Sequence, residues 1–295
     1  MKYYIQYPIK IECSLRCPYC FHATVFDGGI TDADKDAAAG PKFTVQDYIN
    51  WRDKCLEPDS DIIIHFHGGE PTTEYNMDRV VSFLSNTTRE KVDILSNGLG
   101  TYESYGRLKS FKDRISRIGL TYHRKVISQS SSMIDRFHKS VAYLSSWGFP
   151  VYVKELLFTD CRDQIIENKK WWESHGIQFN IQDFKGYDRG EDFTEFQKYT
   201  LDDINLLSQE YIKEGDECSC FFDYKNIIIR GGWQDGDVLA CWKDPTVIGN
   251  IKDGTYNPNY KIFLNADKQR VEVLTDKKVY KGTWKDDRYI KEGIE

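Results

Sequence analysis

A chain of 295 residues suits one large domain, alone or with a small appendage, rather than two full-sized ones. Hydrophobic residues make up 40% and charged residues 29%, which can bury a core and excludes a disordered chain. Lys and Arg number 40 against 46 Asp and Glu; the net charge of -6 excludes a broadly basic coat for nucleic acid, and no apolar run is long enough to span a bilayer.

In chain order, Met1 to Lys10 is aromatic and strand-like and lacks the apolar core of a signal peptide, so a cytoplasmic location is expected. A strand over Tyr3–Ile11 leads into Cys13-Ser-Leu-Arg-Cys17-Pro-Tyr-Cys20, spaced C-x3-C-x2-C. In a reducing compartment, clustered cysteines point to metal rather than disulfides. Three thiolates on one loop suit a cluster or ion that keeps one position open, while His22 would complete a zinc site. Asp27–Pro41 is polar and rich in Gly and Ala and reads as a loop. Thr44–Leu56 reads as a helix opened by a capping box between Thr44 and Asp47.

The apolar strand Ile62–Phe66 follows, with His65 and His67 on one face, and runs into Gly68-Gly69-Glu70-Pro71. Two glycines let the backbone approach a ligand, and Glu70 can accept from an ammonium group. The strand Val92–Leu95 ends in Ser96-Asn97-Gly98, and Ile115–Thr121 ends in Tyr122-His123. Helical spacing then covers Ser132–Trp147, stopped by Gly148, and Asp163–Ser174. These flank strands over Val151–Phe158, which carries Lys154 and Glu155, and Ile177–Gln182; a last helix is expected over Leu201–Ile212. Strand–helix alternation predicts an α/β fold with a parallel sheet, whose chemistry sits at the carboxyl ends of its strands. Between Glu214 and Ile251, short strands over Asn226–Arg230 and Val238–Ala240 read as a small hairpin module.

Cys13, Cys17 and Cys20, the Gly68–Pro71 run and Ser96-Asn97 together resemble the radical S-adenosylmethionine (radical SAM) enzymes, over residues 3 to 185. The resemblance implies a partial (β/α)6 TIM-like barrel with a small C-terminal β-hairpin extension. It divides the chain into a core barrel over 1–213, an auxiliary hairpin over 214–252 and an unassigned tail over 253–295. It also implies one [4Fe–4S] cluster on Cys13, Cys17 and Cys20, with S-adenosylmethionine (AdoMet) chelated to the open iron. Gly68, Gly69 and Glu70 would then lie near the methionine amine, and Tyr19 beside the adenine. Ser96, Asn97, Thr121 and His123 would line the same pocket. His67, Glu155 and Cys161 are the candidates for acting on substrate, each with a structural alternative.

Cys220, Gly236 and Cys241, spaced C-x15-G-x4-C, resemble the opening of the SPASM and twitch extensions that carry auxiliary clusters, and Cys218 adds a third thiolate. Relatives have further cysteines downstream, whereas this chain has none after Cys241. An auxiliary iron–sulfur cluster, zinc, or a hairpin without metal all remain open.

The activity implied is reductive cleavage of AdoMet to a 5′-deoxyadenosyl radical that takes hydrogen from a substrate. A peptide or protein substrate is the first expectation, and a nucleoside, nucleotide or other small metabolite the second. A flavodoxin- or ferredoxin-type donor would supply the electron. A non-catalytic iron–sulfur or zinc scaffold is the rival of another class.

Overall fold

Six strands lead the chain, and each is long enough to carry two to four side chains to either face. The structure, a computed structural model, describes residues 1–20, 40–182, 206, 211–213, 225–231, 235–240, 246–259, 279–281, 284–285 and 288–289. Strands β1 (Lys2–Pro8), β2 (Asp61–His67), β3 (Lys91–Ser96), β4 (Ile115–Tyr122), β5 (Val151–Leu156) and β6 (Gln178–Gln182) pair in chain order, all parallel. Between them run helices α1 (Val45–Cys55), α2 (Glu74–Asn86), α3 (Tyr102–Gly106), α4 (Arg124–Ile127), α5 (Ser131–Ser146) and α6 (Arg162–Ser174). Parallel strands need such crossovers, and they place every strand's carboxyl end at one rim. The α/β barrel class expected from the sequence is the observed one.

Alternation along each strand separates two environments. Tyr3, Ile5 and Tyr7 of β1 and Ile62, Ile64 and Phe66 of β2 are buried against the helices. There Tyr7 meets Phe83 of α2 edge-on at 4.9 Å between ring centroids and Tyr48 of α1 at 5.6 Å. The opposite face is polar. Tyr4 stacks on His65 with centroids 5.8 Å apart and donates to Asp93 Oδ2 at 3.0 Å. Arg117 reaches the same oxygen at 2.8 Å. Higher up, Lys154 donates to Gln182 Oε1 at 3.0 Å.

Two helices follow their sequence signals closely. Thr44 Oγ1 accepts from Asp47 N at 3.1 Å while Asp47 Oδ2 accepts from Thr44 N at 2.7 Å, closing the capping box. Gly148, at φ +73°, ends α5 in the left-handed conformation.

The later strands are β7 (Tyr211–Lys213), β8 (Lys225–Ile229), β9 (Asp237–Leu239), β10 (Gly249–Asn250), β11 (Thr255–Tyr256), β12 (Val279–Lys281), β13 (Trp284–Lys285) and β14 (Arg288–Tyr289). β8 pairs parallel with the free edge of β1, and β9, β10 and β11 follow antiparallel. The hairpin therefore continues the barrel sheet. It runs past residue 252 to Tyr256, which packs on Trp51 at 5.8 Å while Trp51 Nε1 donates to Thr255 O at 2.9 Å.

The helix expected over Leu201–Ile212 is corrected at its end: Tyr211–Lys213 is a strand paired with Val279–Lys281, a tertiary pairing that overrides local spacing. Most of that segment, the loop from Asp27, His22, and Cys218, Cys220 and Cys241 lie outside the described residues. No helix among the described residues is long and apolar enough to cross a membrane.

Candidate active site

The cysteine loop leaves β1 and is stitched to the segment that leaves β2. Ile9 N donates to His67 O at 2.8 Å, Gly69 N to Lys10 O at 3.2 Å and Glu70 N to Glu12 O at 2.7 Å. Asn76, at the start of α2, clamps both segments: Nδ2 donates to Lys10 O and to Glu70 O, each at 3.0 Å, and Oδ1 accepts from Lys10 N at 3.1 Å. This closeness demands the glycines. A Cβ at Gly69 would stand 2.2 Å from Glu12 O, and Gly68 holds φ +130° with Ile9 O at 2.5 Å from where its Cβ would be. The backbone approach that the sequence assigned to a ligand is thus made by the cysteine loop.

Glu70 is buried, and burial raises its pKa against several opposing hydrogen bonds. Oε1 accepts from Thr72 N at 3.0 Å and Thr72 Oγ1 at 2.6 Å, and Oε2 from Asn97 N at 2.6 Å. Its carboxylate therefore joins the loops after β2 and β3. Ser96 Oγ accepts from Gly98 N at 3.1 Å and lies 3.0 Å from the Tyr105 hydroxyl. Asn97 Oδ1 accepts from Leu99 N at 2.9 Å, which aims Nδ2 at Ser14 Oγ (3.2 Å) and Cys13 Sγ (3.6 Å).

The three thiols share one electrostatic neighbourhood. Burial raises Cys13, and burial with the charges of Cys13 and Cys20 pushes Cys17 up to about 12. As free thiols Cys13 and Cys17 stay protonated; a cationic centre would deprotonate them. Leu15 N points at Cys13 Sγ from 3.4 Å, and Asn97 Nδ2 points at the same sulfur from 3.6 Å. An all-sulfur donor set with N–H groups aimed at it fits an iron–sulfur cluster. Among the described residues no three His, Cys, Asp or Glu side chains are gathered tightly enough for a single ion.

Across the rim, the Tyr19 hydroxyl lies 3.2 Å from His123 Nδ1, their rings stacked with centroids 6.0 Å apart. Phe158 supports Tyr19 from 5.3 Å. Burial and the Lys154 charge push His123 down to about 4, so it is neutral. Thr121 is buried on β4 in register with Lys154.

Two candidates are placed elsewhere. Glu155 alternates with Lys154 and faces the helices: fully buried, it ion-pairs with Arg124 of α4 and accepts from Asn168 of α6 at 3.2 Å. A carboxylate so held is the internal ion pair that stood as its structural alternative in the sequence. His67 Nε2 donates to Ile229 O at 3.0 Å, tying β2 to β8 over Pro8, so this nitrogen is taken up by the fold. Cys161 ends a 3-10 turn after β5, half-buried, its pKa raised by burial and by Asp160. Sequence reasoning missed Thr72, Asn76, Tyr105 and Arg124. Their polar side chains at strand ends and helix starts were the available signal.

No protein-family model and no curated protein sequence matches the chain. Its architecture, however, is similar to solved structures. A histidine-tagged anSMEcpe with bound AdoMet matches at 14% identity over 85% of this chain and 75% of that one, with a TM-score of 0.56. Native anSMEcpe with bound AdoMet and the Cp18Cys peptide matches at 13% identity over 85% and 78%, with a TM-score of 0.55. The chain has the fold of these AdoMet-binding proteins, the partial barrel that its resemblance to the radical SAM enzymes implies.

Proposed function

We propose that the chain is a radical SAM enzyme acting on a peptide or protein. The observation that carries the reading is the joining, at one rim, of the Cys13, Cys17 and Cys20 loop to Glu70 and Asn97 through backbone and side-chain hydrogen bonds. Cys13, Cys17 and Cys20 would hold a [4Fe–4S] cluster. With AdoMet and one electron from a flavodoxin- or ferredoxin-type donor, that group supplies methionine and a 5′-deoxyadenosyl radical able to take hydrogen from carbon. Asn76 and Glu70 keep the cysteine loop in place. Gly68, Gly69, Ser96 and Asn97 would flank the methionine end of AdoMet. Tyr19, Thr121 and His123 wall the opposite side, and Cys161 stands beyond them as a neutral thiol available to substrate.

The peptide assignment is supported by the peptide-bound anSMEcpe structure of like fold. A small polar metabolite is the second reading, favoured by the polar inner face of His65, Lys154 and Gln182. For Cys218, Cys220 and Cys241 we propose an auxiliary cluster in the extension. A cytoplasmic setting would keep all these thiols reduced.

Anaerobic incubation of reconstituted protein with AdoMet and dithionite tests the enzyme reading. We expect 5′-deoxyadenosine well above a Cys17→Ala control; equal amounts leave only a scaffold. Iron content in the same preparation tests the extension: about eight per chain supports two clusters, about four a single one. Candidate precursor peptides and small polar metabolites, supplied in parallel, decide the substrate by which of them raises the yield.

A further inference from the structure

Asp93 Oδ1 and His65 Nδ1, on the inner wall of the barrel, are buried atoms without a hydrogen-bond partner among the described residues. They come from neighbouring strands. His65 of β2 and Asp93 of β3 are register partners, so both side chains leave the sheet on one side, about 5 Å apart. The Asp93 side chain is 1% exposed.

Tyr4 holds both members of the pair. Its ring stacks on the imidazole with centroids 5.8 Å apart, and its hydroxyl donates to Asp93 Oδ2 at 3.0 Å. Arg117, the register partner of Asp93 on β4, donates to the same oxygen at 2.8 Å. Two donors thus converge on Oδ2 and fix the carboxylate, while Oδ1 receives none. A buried acceptor in that state is costly, and a donor completes it.

The wall around the pair is open. His65 itself, Tyr152, Lys154 and Gln182 are partly exposed there. At about 3.3 Å per residue, Asp93 stands about 10 Å below Ser96 at the rim. A substrate group held at this depth lies away from the cysteine loop, so it anchors the substrate and does not react.

Charge selects the group. The Asp93 carboxylate is already paired with Arg117, and Lys154 adds a second cation to the inner face. An ammonium would meet two cations for one carboxylate, and an anion would face Asp93. An uncharged donor avoids both. A hydroxyl or a carboxamide can give a proton to Oδ1, and its remaining atoms suit either tautomer of the imidazole. We propose that Asp93 and His65 form a specificity subsite on the inner wall of the barrel that takes an uncharged hydroxyl or carboxamide of the substrate. This rests on the enzyme reading above and adds what its substrate must carry.

The test is saturation-transfer NMR on reconstituted full-length protein, kept anaerobic with AdoMet. The probes are the N-acetyl amides of serine, asparagine, alanine and lysine, with methyl glucoside as a hydroxyl probe that has no peptide group. The serine amide, the asparagine amide or the glucoside should bind about tenfold more tightly than the alanine amide, and the lysine amide should not. Preference for an amide assigns the group to a peptide side chain, and preference for the glucoside assigns it to a small metabolite. Asp93→Asn turns the unpartnered acceptor into a donor, and His65→Phe keeps the ring on Tyr4 without its nitrogens. Each should abolish the preference at unchanged iron uptake and AdoMet affinity. Should Asp93→Asn fail to fold, His65→Phe decides alone. Equal binding of all probes means that the pair meets solvent only and overturns the subsite. Tightest binding of the lysine amide overturns the choice of an uncharged group, and a preference that survives in both variants overturns the assignment to this pair. Protein that takes up no iron overturns the enzyme reading instead, and the probe comparison, which needs no cluster, still decides the subsite.

Discussion

Glu70 Oε2 accepts the backbone N–H of Asn97 at 2.6 Å, so one buried carboxylate fixes how the loop after β2 meets the loop after β3. Because Asn97 Nδ2 points at Cys13, that bond adds a third loop to the contacts by which Glu70 N and Asn76 already hold the cysteine loop. Replacing Glu70 by Ala leaves the N–H groups of Asn97 and Thr72 without their acceptor inside the protein. Each such buried donor costs about 1–3 kcal/mol. Glu70→Ala should therefore lower the thermal midpoint measurably. It should also reduce iron uptake on reconstitution, read by iron assay against wild type. Glu70→Gln retains one acceptor oxygen and should fall between the two.

Gly69→Ala is expected to be worse than its size implies. The added methyl would stand 2.2 Å from Glu12 O and 2.3 Å from Glu12 N, both backbone atoms that no rotamer can move aside. The cysteine loop must shift, and iron uptake should drop strongly while the far-UV spectrum stays close to wild type. By contrast, Gly106→Ala meets no atom within 4 Å and should leave uptake unchanged.

Much of the rim was legible in the sequence because a parallel sheet sends every strand's carboxyl end to one side. Cys13 to Cys20, Gly68 to Pro71 and Ser96-Asn97 could be placed together from their positions after successive strands. What the pairs do was not legible. That the glycines also let the cysteine loop approach was hidden, because that loop lies more than 50 residues earlier in the chain. Glu155 read either as a group acting on substrate or as an ion-pair member, since nothing local marks Arg124, 31 positions away, as its partner. Helix α2 lacked a start signal: Thr73 makes no side-chain cap bond, and Pro71-Thr72-Thr73 looks like turn. The pairing of β8 with β1 spans over 200 residues, and no pattern within either strand encodes it.

The ion pair of Glu155 and Arg124 separates a structural from a catalytic role. Removing one partner strands a buried charge at a cost of about 3–5 kcal/mol, whereas replacing both by apolar residues of similar volume is often neutral. Glu155→Leu alone should unfold at markedly lower urea concentration. Glu155→Leu with Arg124→Met should regain much of that loss and still form 5′-deoxyadenosine. A stable double variant with no substrate turnover would restore Glu155 to the catalytic candidates.

His65 should make the fold sensitive to mild acid. Burial holds its pKa below the usual 6.5, the charges of Lys154 and Arg117 push the same way, and Asp93 opposes them by its charge and by accepting a hydrogen bond through its backbone. The Tyr4 ring covers one side of the imidazole, and Nδ1 has no hydrogen-bond partner. A depressed histidine binds its proton more weakly folded than unfolded. The unfolded chain therefore holds more protons from about pH 6.5 downward, and stability falls with falling pH through that window. Above it the contribution is complete and flat. Glutamine has no charge to gain, so His65→Gln should lose less stability between about pH 7.5 and 5.5 than wild type does. Urea midpoints measured at both pH values for both proteins give the comparison, and parallel losses would mean that His65 does not titrate with unfolding.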